Sequence, residues 1–186
     1  MIPRAGWAAL VVAAWVVAPA QADTDVPIGY QQVAEAHGIP SALFYALALA
    51  ESGRWIPDQR TSRPWPWALN VEGSGQFFPS REAALSALAV VLSAGKTWVD
   101  VGLMQISWHF HQPALGTPIE ALDPYRNLAV AAEILVRCHR SRGDWWAAVG
   151  CYHAPNAPER AERYRARVHA IWTGLHEETE TWDVRP

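Results

Sequence analysis

The pattern of apolar and polar positions divides the chain into a helical frame and a short strand-rich insertion. Residues 41–51 are a run of helix-forming, mostly apolar residues, preceded by a shorter helix over residues 30–37. Residues 68–71 and 76–78 flank a turn sequence at 72–75, EGSG, which predicts a β-hairpin. One more short strand is expected at residues 97–101, and further helices at residues 80–94, 124–141, 145–152 and 158–172, the last ending at Gly174. The pattern predicts a mainly α (α+β) domain with a small inserted β-hairpin lobe beside the 41–51 helix.

One carboxylate stands out on the 41–51 helix. Leu43, Leu47 and Glu51 are spaced four residues apart, so they share one helix face and Glu51 continues an apolar stripe. Burial there would penalise the charged form and raise the carboxyl pKa, as a general acid near neutral pH requires. Gly53 is expected to end the helix in a left-handed conformation beside a cleft. The pattern also allows Glu51 to lie at a solvated helix end with no catalytic role.

The first 22 residues are typical of a secretory signal peptide. Arg4 supplies the positive n-region, residues 5–18 the apolar h-region, and residues 20–22 (AQA) the cleavage site. The apolar run is shorter than the roughly 20 residues that a spanning helix needs, which favours cleavage over an uncleaved anchor. We therefore expect an exported, periplasmic protein, with one domain over residues 23–176 and a loose acidic tail over residues 177–186.

Composition narrows the function classes. A net charge of −3 gives no electrostatic support for nucleic acid as a partner. The two cysteines, Cys138 and Cys151, favour a structural disulfide in an oxidising compartment, with two buried free thiols as the alternative. Tryptophan is the unusual residue, with eleven in the chain, and flat aromatic faces also stack on sugar rings. Four of them can each belong either to the core of the inserted lobe or to a sugar subsite: Trp65, Trp67, Trp98 and Trp108.

Three short motifs occur in order along the chain. They are residues 51–53 (ESG), 102–106 (GLMQI) and 148–153 (AVGCYH). Together with segments 123–135, 143–146 and 163–165, they resemble the soluble lytic transglycosylase (SLT) family over roughly residues 30–172. Within that family, residues 65–108 look most like enzymes linked to conjugation or specialised secretion machines.

The resemblance implies a lysozyme-like fold that cleaves the MurNAc to GlcNAc β-1,4 bond of peptidoglycan without water, leaving a 1,6-anhydro-MurNAc end. Glu51 maps onto the sole catalytic acid/base, which protonates the glycosidic oxygen and then takes the proton of the attacking C6 hydroxyl. The substrate's N-acetyl group assists, so no second carboxylate is needed. Tyr152 maps onto the tyrosine whose hydroxyl steadies the carboxylate, and Ser52 onto a residue that helps orient it. The implied substrate-binding positions are Ser52, Met104, Gln105, Ile106, Tyr152 and His153.

The chain departs from the family at residues 153–155, His-Ala-Pro, where Asn-Ala-Gly is more common. The imidazole of His153 can replace an amide as a hydrogen-bond donor, but it is bulkier and titrates. The departure concerns the subsite contact and leaves the assignment of Glu51 unchanged.

Two rival functions stay open. A muramidase on the same fold would need a second carboxylate, for which Glu72 and Asp100 are the nearest candidates. A catalytically inactive wall-binding or assembly module would keep the cleft for anchoring, although the intact Glu51 and Tyr152 argue against it. The resemblance implies no metal and no cofactor. It implies a monomer whose partners are peptidoglycan strands and components of a conjugation or type IV secretion apparatus.

Overall fold

The computed structural model describes residues 26–182, and the predicted leader lies outside them. The chain starts with α1 (Ile28–Ala36), which ends before Gly38 in the left-handed conformation, followed by α2 (Ser41–Ser52). Helix α2 is buried on all sides, and Phe44, Ala46 and Leu47 are fully inaccessible. It is therefore the central helix of the core, and its packing positions the residues at its C-terminal end.

Two small antiparallel sheets follow α2. The first pairs β1 (Gly53–Ile56) with β2 (Thr61–Pro64) around a 3₁₀ turn at Pro57–Gln59, and the sequence pattern did not predict it. The second has the strand order β4-β3-β5-β6. Its strands are β3 (Ala68–Val71), β4 (Ser74–Phe77), β5 (Val99–Val101) and β6 (Ile106–Ser107), with α3 (Arg81–Ser93) inserted before β5.

The predicted hairpin is confirmed, with a tighter turn than expected. Glu72 and Gly73 alone connect β3 to β4, and both have positive φ, 51° and 91°. Such a two-residue turn matches the right-handed twist of paired strands. The predicted helix after the hairpin is also confirmed, because the Ser80 side chain accepts a hydrogen bond from the Ala83 amide at 3.2 Å.

The four-stranded sheet has a buried face and an outer face. Leu69, Val101 and Ile106 lie on neighbouring strands, point into the core and are at most 2% exposed. Because side chains alternate along a strand, the next paired positions belong to the opposite face. These positions form a polar row, which we call the outer row: Asn70, Asp100 and Ser107.

The second half is helical. Two short helices that the sequence pattern missed, α4 (Trp108–Leu115) and α5 (Pro118–Ala121), precede α6 (Pro124–Arg142), α7 (Trp145–His153) and α8 (Pro158–Trp182). Asp123 and Asp144 cap α6 and α7 as predicted. A disulfide between Cys138 and Cys151 joins these two helices. The predicted mainly α class with a small antiparallel insertion is confirmed.

The end predicted for the last helix is wrong. Helix α8 runs through Gly174 to Trp182, so residues 177–182 of the expected tail are helical. A single glycine costs a helix only about 1 kcal/mol relative to alanine, which is too little to stop it without a cap or a proline. Residues 183–186 lie outside the described part of the chain.

Candidate active site

Glu51 lies in the last turn of α2, at the point where the central helix leaves the core. Its side chain is partly exposed, whereas its neighbours Ala50 and Ser52 are at most 4% exposed. The Tyr164 hydroxyl, from the buried face of α8, donates a hydrogen bond of 2.5 Å to Glu51 Oε1. The apolar face of α2 therefore ends with the Glu51 carboxylate at the protein surface, where a ligand can reach it.

The environment of Glu51 raises its pKa to about 7. Burial is the main cause, because removal from water penalises the charged form. The Tyr164 hydrogen bond opposes this shift, the negative charge of Asp100 adds to it, and the positive charge of Arg167 lowers it. Near neutral pH both protonation states are therefore populated, as a group that serves in turn as acid and base requires.

The predicted hydrogen bond from Tyr152 to Glu51 is wrong. The Tyr152 hydroxyl donates instead to the Met104 carbonyl at 2.8 Å, because α7 directs it toward the loop of residues 102–105. Burial, together with the nearby Glu51 charge, raises the pKa of both Tyr152 and Tyr164 well above the usual value. Both phenols therefore stay protonated donors, one holding the carboxylate and the other holding the loop.

The loop between β5 and β6 is fixed by the buried side chain of Asn127. Its amide nitrogen donates to the Val101 and Ala121 carbonyls at 2.9 and 3.2 Å, and its oxygen accepts from the Met104 amide at 2.9 Å. Gly102 lies against this amide with φ +80°, and a Cβ there would be 2.6 Å from Asn127 Nδ2. Glycine is therefore required at position 102 both for conformation and for space.

Ser52 binds the same loop, and within the described residues it makes no hydrogen bond to Glu51. Its hydroxyl donates to the Leu103 carbonyl at 2.6 Å and accepts from the Trp65 amide at 3.2 Å. The expectation that Ser52 orients the acid directly is thus replaced by an indirect role, in which it ties the end of α2 to the loop. Gly53 also differs from prediction, with φ −58°, and a Cβ there would be 2.3 Å from the Leu49 carbonyl oxygen.

The remaining predicted binding residues do not all present their side chains to the site. Met104 is fully buried and Ile106 is 2% exposed, so both belong to the core. Gln105, with φ +43°, donates from Nε2 to the carbonyls of Gly102 and Ala68 at 2.9 and 3.3 Å. Of these three residues, Gln105 alone keeps a partly exposed side chain, and its amide also closes the loop.

His153 is linked to Glu51 indirectly, because its ring packs on Tyr164, the hydrogen-bond donor to the carboxylate. The two rings are stacked, with centroids 4.2 Å apart and planes 4° from parallel. Partial burial, with the charges of Arg160 and Arg167, lowers the pKa of His153. The residue is exposed and can contact a ligand, while its ring also supports the tyrosine that holds Glu51.

The two candidate second carboxylates lie in different environments. Glu72 is in the exposed hairpin turn, where Lys96 Nζ approaches it at 2.7 Å, and it is not among the groups that shift the Glu51 pKa. Asp100 belongs to the outer row and receives a hydrogen bond from Asn70 Nδ2 at 3.3 Å. Burial raises the pKa of Asp100, and a hydrogen bond with Ser107 partly opposes that shift. Of the two, Asp100 is therefore the carboxylate whose charge acts on Glu51.

The four tryptophans that the sequence allowed in either the lobe core or a sugar subsite divide between core and surface. Trp108 is 8% exposed and belongs to the core, whereas Trp98 is 54% exposed. Trp65 and Trp67 are partly buried against each other, with ring centroids 5.6 Å apart. Arg54 lies over the Trp65 ring at 4.4 Å. Trp98 is thus the member of this set that is most open to a ligand.

Sequence reasoning missed two residues that position the site, Tyr164 and Asn127. Segment 163–165 contributed to the family resemblance, but no role was assigned to its tyrosine. A signal was present, because Tyr164, Val168 and Ile171 recur at i, i+4 and i+7 on a helix that is otherwise charged. No comparable signal marked Asn127, since a polar residue within a predicted amphipathic helix is usually on its solvated face.

A carboxylate with a raised pKa at the end of a buried central helix, beside a small antiparallel sheet, is the arrangement expected of a lysozyme-like enzyme. The family model described as "Transglycosylase SLT domain" matches residues 30–172, and the chain belongs to this family of lytic transglycosylase-type enzymes that act on peptidoglycan. Comparison with curated proteins and with solved structures found no match. The predicted SLT resemblance is confirmed, whereas its conjugation subgroup stays a prediction.

Within residues 26–182, no single helix is both long enough and apolar enough to cross a membrane. Helices α1 and α2 reach that length and apolar content only when taken together, and the chain bends by 117° between them. Helix α2 of that pair is the buried core helix described above. Within the same range, histidine, cysteine, aspartate and glutamate form no group of three or more that could hold a metal ion.

Proposed function

We propose that this chain cleaves the β-1,4 bond between MurNAc and GlcNAc of peptidoglycan strands without water, leaving 1,6-anhydro-MurNAc ends. The observation that carries the proposal is the state of Glu51, whose pKa is about 7 and whose oxygen is held by Tyr164. Family membership supports peptidoglycan as the substrate. The raised pKa supports a single group that gives a proton and then takes one back.

In the proposed reaction, protonated Glu51 donates its proton to the glycosidic oxygen as the bond to the anomeric carbon breaks. The carboxylate that results is stabilised by the Tyr164 hydroxyl, which is already in place to donate. The C6 hydroxyl of the same MurNAc then attacks its anomeric carbon and gives its proton to Glu51. The acid is restored, and no water enters the products.

A muramidase is the second candidate, and Asp100 is the observation that favours it. Its negative charge acts on Glu51 from the outer row, where a second carboxylate of a hydrolase could lie. Glu72 is not a candidate for this role, because it is paired with Lys96 in an exposed turn. The two functions differ in one product, since hydrolysis leaves a reducing end and the transglycosylase reaction leaves an anhydro ring.

The deciding experiment is mass spectrometry of the soluble products when purified peptidoglycan is digested by the protein or by its Glu51→Gln variant. We expect anhydro-muropeptides from the parent protein and a loss of about 10²- to 10⁴-fold in the variant, the usual range for a general acid. Reducing-end products would favour the muramidase. No release by either protein, beside an active control enzyme, would favour the inactive wall-binding module.

We further propose that the protein is exported to the periplasm and, as a monomer, opens a local gap in the wall for a conjugation or type IV secretion apparatus. The predicted leader and the disulfide support export, and the resemblance of residues 65–108 supports the apparatus. Cell fractionation tests the first part. Loss of plasmid transfer or effector secretion on deletion, restored by the parent protein but not by Glu51→Gln, tests the second.

A further inference from the structure

We propose that Trp98, His109 and Phe110 form a sugar-stacking platform that extends the cleft of Glu51 along the outer face of the sheet. We call these three side chains the aromatic platform. The inference rests on the proposed function, because it locates where a glycan strand lies beyond the cleaved bond.

The aromatic platform is an ordered cluster. The rings of Trp98 and His109 are stacked, with centroids 4.0 Å apart and planes 15° from parallel. Phe110 meets both rings edge-on, at 5.3 Å from Trp98 and 4.9 Å from His109. The Thr97 hydroxyl lies 2.9 Å from His109 Nδ1, within hydrogen-bond distance. Because these contacts hold the rings before a ligand arrives, binding would cost little side-chain ordering.

The aromatic platform is open to solvent despite these contacts. Trp98 is 54% exposed and Phe110 is 64% exposed. His109 stacks on the indole and Phe110 contacts it edge-on, and more than half of the Trp98 side chain stays open to a ligand. Exposed apolar side chains that hold one another in place are more typical of a binding surface than of the protein core.

The aromatic platform is continuous with the acid. Trp98 directly precedes β5, the strand of Asp100, and His109 and Phe110 follow Ser107 of the outer row in the first turn of α4. Asp100 acts electrostatically on both Glu51 and Tyr152, so the outer row lies near the acid. A strand bound at Glu51 that continues past the outer row therefore reaches Trp98.

The chemistry of the surroundings favours a glycan over a protein partner. The apolar faces of pyranose rings stack on flat aromatic rings, while their hydroxyls need polar neighbours. Thr97 and the exposed pair Lys96–Glu72 supply such neighbours beside Trp98. Three rings bordered by charged and hydroxyl groups also present a much smaller apolar area than the roughly 800 Å² that each partner of a stable protein complex buries.

The test measures glycan binding in the Glu51→Gln background, so that turnover does not interfere. The probe is soluble glycan strands, prepared from purified peptidoglycan by removal of the stem peptides, and binding is titrated by isothermal calorimetry. Adding Trp98→Ala is expected to weaken binding roughly tenfold, the size of one lost aromatic contact, whereas Trp98→Phe should retain most of the affinity. Tyr125→Ala is the matched control, because Tyr125 is also aromatic and 60% exposed but lies on α6.

Several results would overturn the aromatic platform. The first is that the Glu51→Gln parent does not bind the glycan, and the second is that adding Trp98→Ala leaves its affinity unchanged. The third is that Tyr125→Ala weakens binding as much as Trp98→Ala does. A concentration-dependent dimer of the parent that Trp98→Ala abolishes would assign the surface to a second copy instead. Trp98→Phe keeps a ring at this position. Weaker binding by Trp98→Ala but not by Trp98→Phe would therefore assign the loss to stacking and not to misfolding.

Failure of the platform and failure of the proposed function are distinguishable. The platform is judged by binding of variants that do not turn over, and the function by the products of the parent enzyme. Anhydro products with no effect of Trp98→Ala on binding would leave the function intact and remove the platform alone.

Discussion

The candidate site has two sides, which we call the helical wall and the sheet wall, and they hold their carboxylates in different ways. On the helical wall, formed by α2 and α8, Glu51 ends an apolar helix and receives one hydrogen bond, from Tyr164. On the sheet wall, formed by β3, β5 and β6, Asp100 lies in the polar outer row with Asn70 and Ser107 beside it. Burial raises the pKa of both carboxyls, but only for Glu51 is the shift large, to about 7.

This difference shows how backbone type decides the role of an acid. A central helix can carry one polar group into an apolar environment, because its backbone hydrogen bonds are satisfied within the helix. A strand pair instead sets polar side chains next to one another, so a carboxylate there gains hydrogen bonds that favour its charged form. We therefore expect the helical wall to supply the proton and the sheet wall to supply negative charge and sugar contacts.

The largest expected effect comes from breaking the loop that joins the two walls. Asn127→Ala removes three hydrogen bonds and leaves the Met104 amide and two carbonyls without this partner. We expect the free energy of unfolding to fall by about 3 to 5 kcal/mol, measured by urea denaturation. Asn156→Ala, an exposed asparagine, is the control and should change it little. A loss below about 1 kcal/mol for Asn127→Ala would show that the loop is held by other contacts.

The next effect is a gain in stability when the acid of the helical wall is neutralised. The folded-state pKa of Glu51 is raised from 4.5 to about 7, so the folded state binds the proton more tightly and loses stability as pH rises between these values. Glu51→Gln should therefore stabilise the protein by roughly 2 to 3 kcal/mol above pH 7 and by almost nothing near pH 4. The readout is the thermal midpoint across pH.

Glu133→Gln is the matched control for this stability measurement. Glu133 is exposed on α6, so the same chemical change removes a solvated charge. We expect no pH-dependent gain from it. A gain from Glu51→Gln that stays constant between pH 4 and pH 8 would contradict the view that charge burial is its cause.

The helices were largely predictable from the sequence, because their patterns are local. The spacing of Leu43, Leu47 and Glu51 defines one face of α2. Asp123 and Asp144 mark the first residues of α6 and α7, because each caps the turn that follows it. The same locality explains why the predicted end of α8 was wrong. Gly174 has a helix-ending residue type, but the cost of one glycine does not decide a boundary inside a long helix.

The sheet wall and the contacts between walls were much less predictable. β1 and β2 are four residues each, too short for period-2 alternation to stand out beside tryptophans and prolines. The choice between Tyr152 and Tyr164 depends on how α7 and α8 pack, and no local pattern records that geometry. The family motifs pointed to Glu51 as the acid, whereas the hydrogen-bond donor to its carboxylate required the structure.

The two tyrosines test whether the carboxylate and the loop are held separately. Tyr164→Phe removes the hydrogen bond that lowers the Glu51 pKa, so the alkaline limb of the pH-rate profile should move to higher pH. We also expect kcat to fall about 10- to 100-fold, because the carboxylate loses its donor after proton transfer. Tyr152→Phe should reduce activity without moving that limb, since its hydroxyl binds Met104. Equal shifts in both variants would mean that the two roles are not separate.

The smallest expected effect, and the one that most sharpens the comparison, comes from Asp100→Asn. The ionised Asp100 raises the Glu51 pKa, so its removal should move the alkaline limb to lower pH, opposite to the Tyr164→Phe shift. Asparagine has nearly the same shape, and its oxygen can still accept hydrogen bonds from Asn70 and Ser107. If the sheet wall supplies only charge, the variant keeps forming anhydro products and changes kcat by no more than a few-fold. A loss as large as that of Glu51→Gln would instead make Asp100 a second catalytic carboxylate, and the enzyme a hydrolase in which both walls take part in the chemistry.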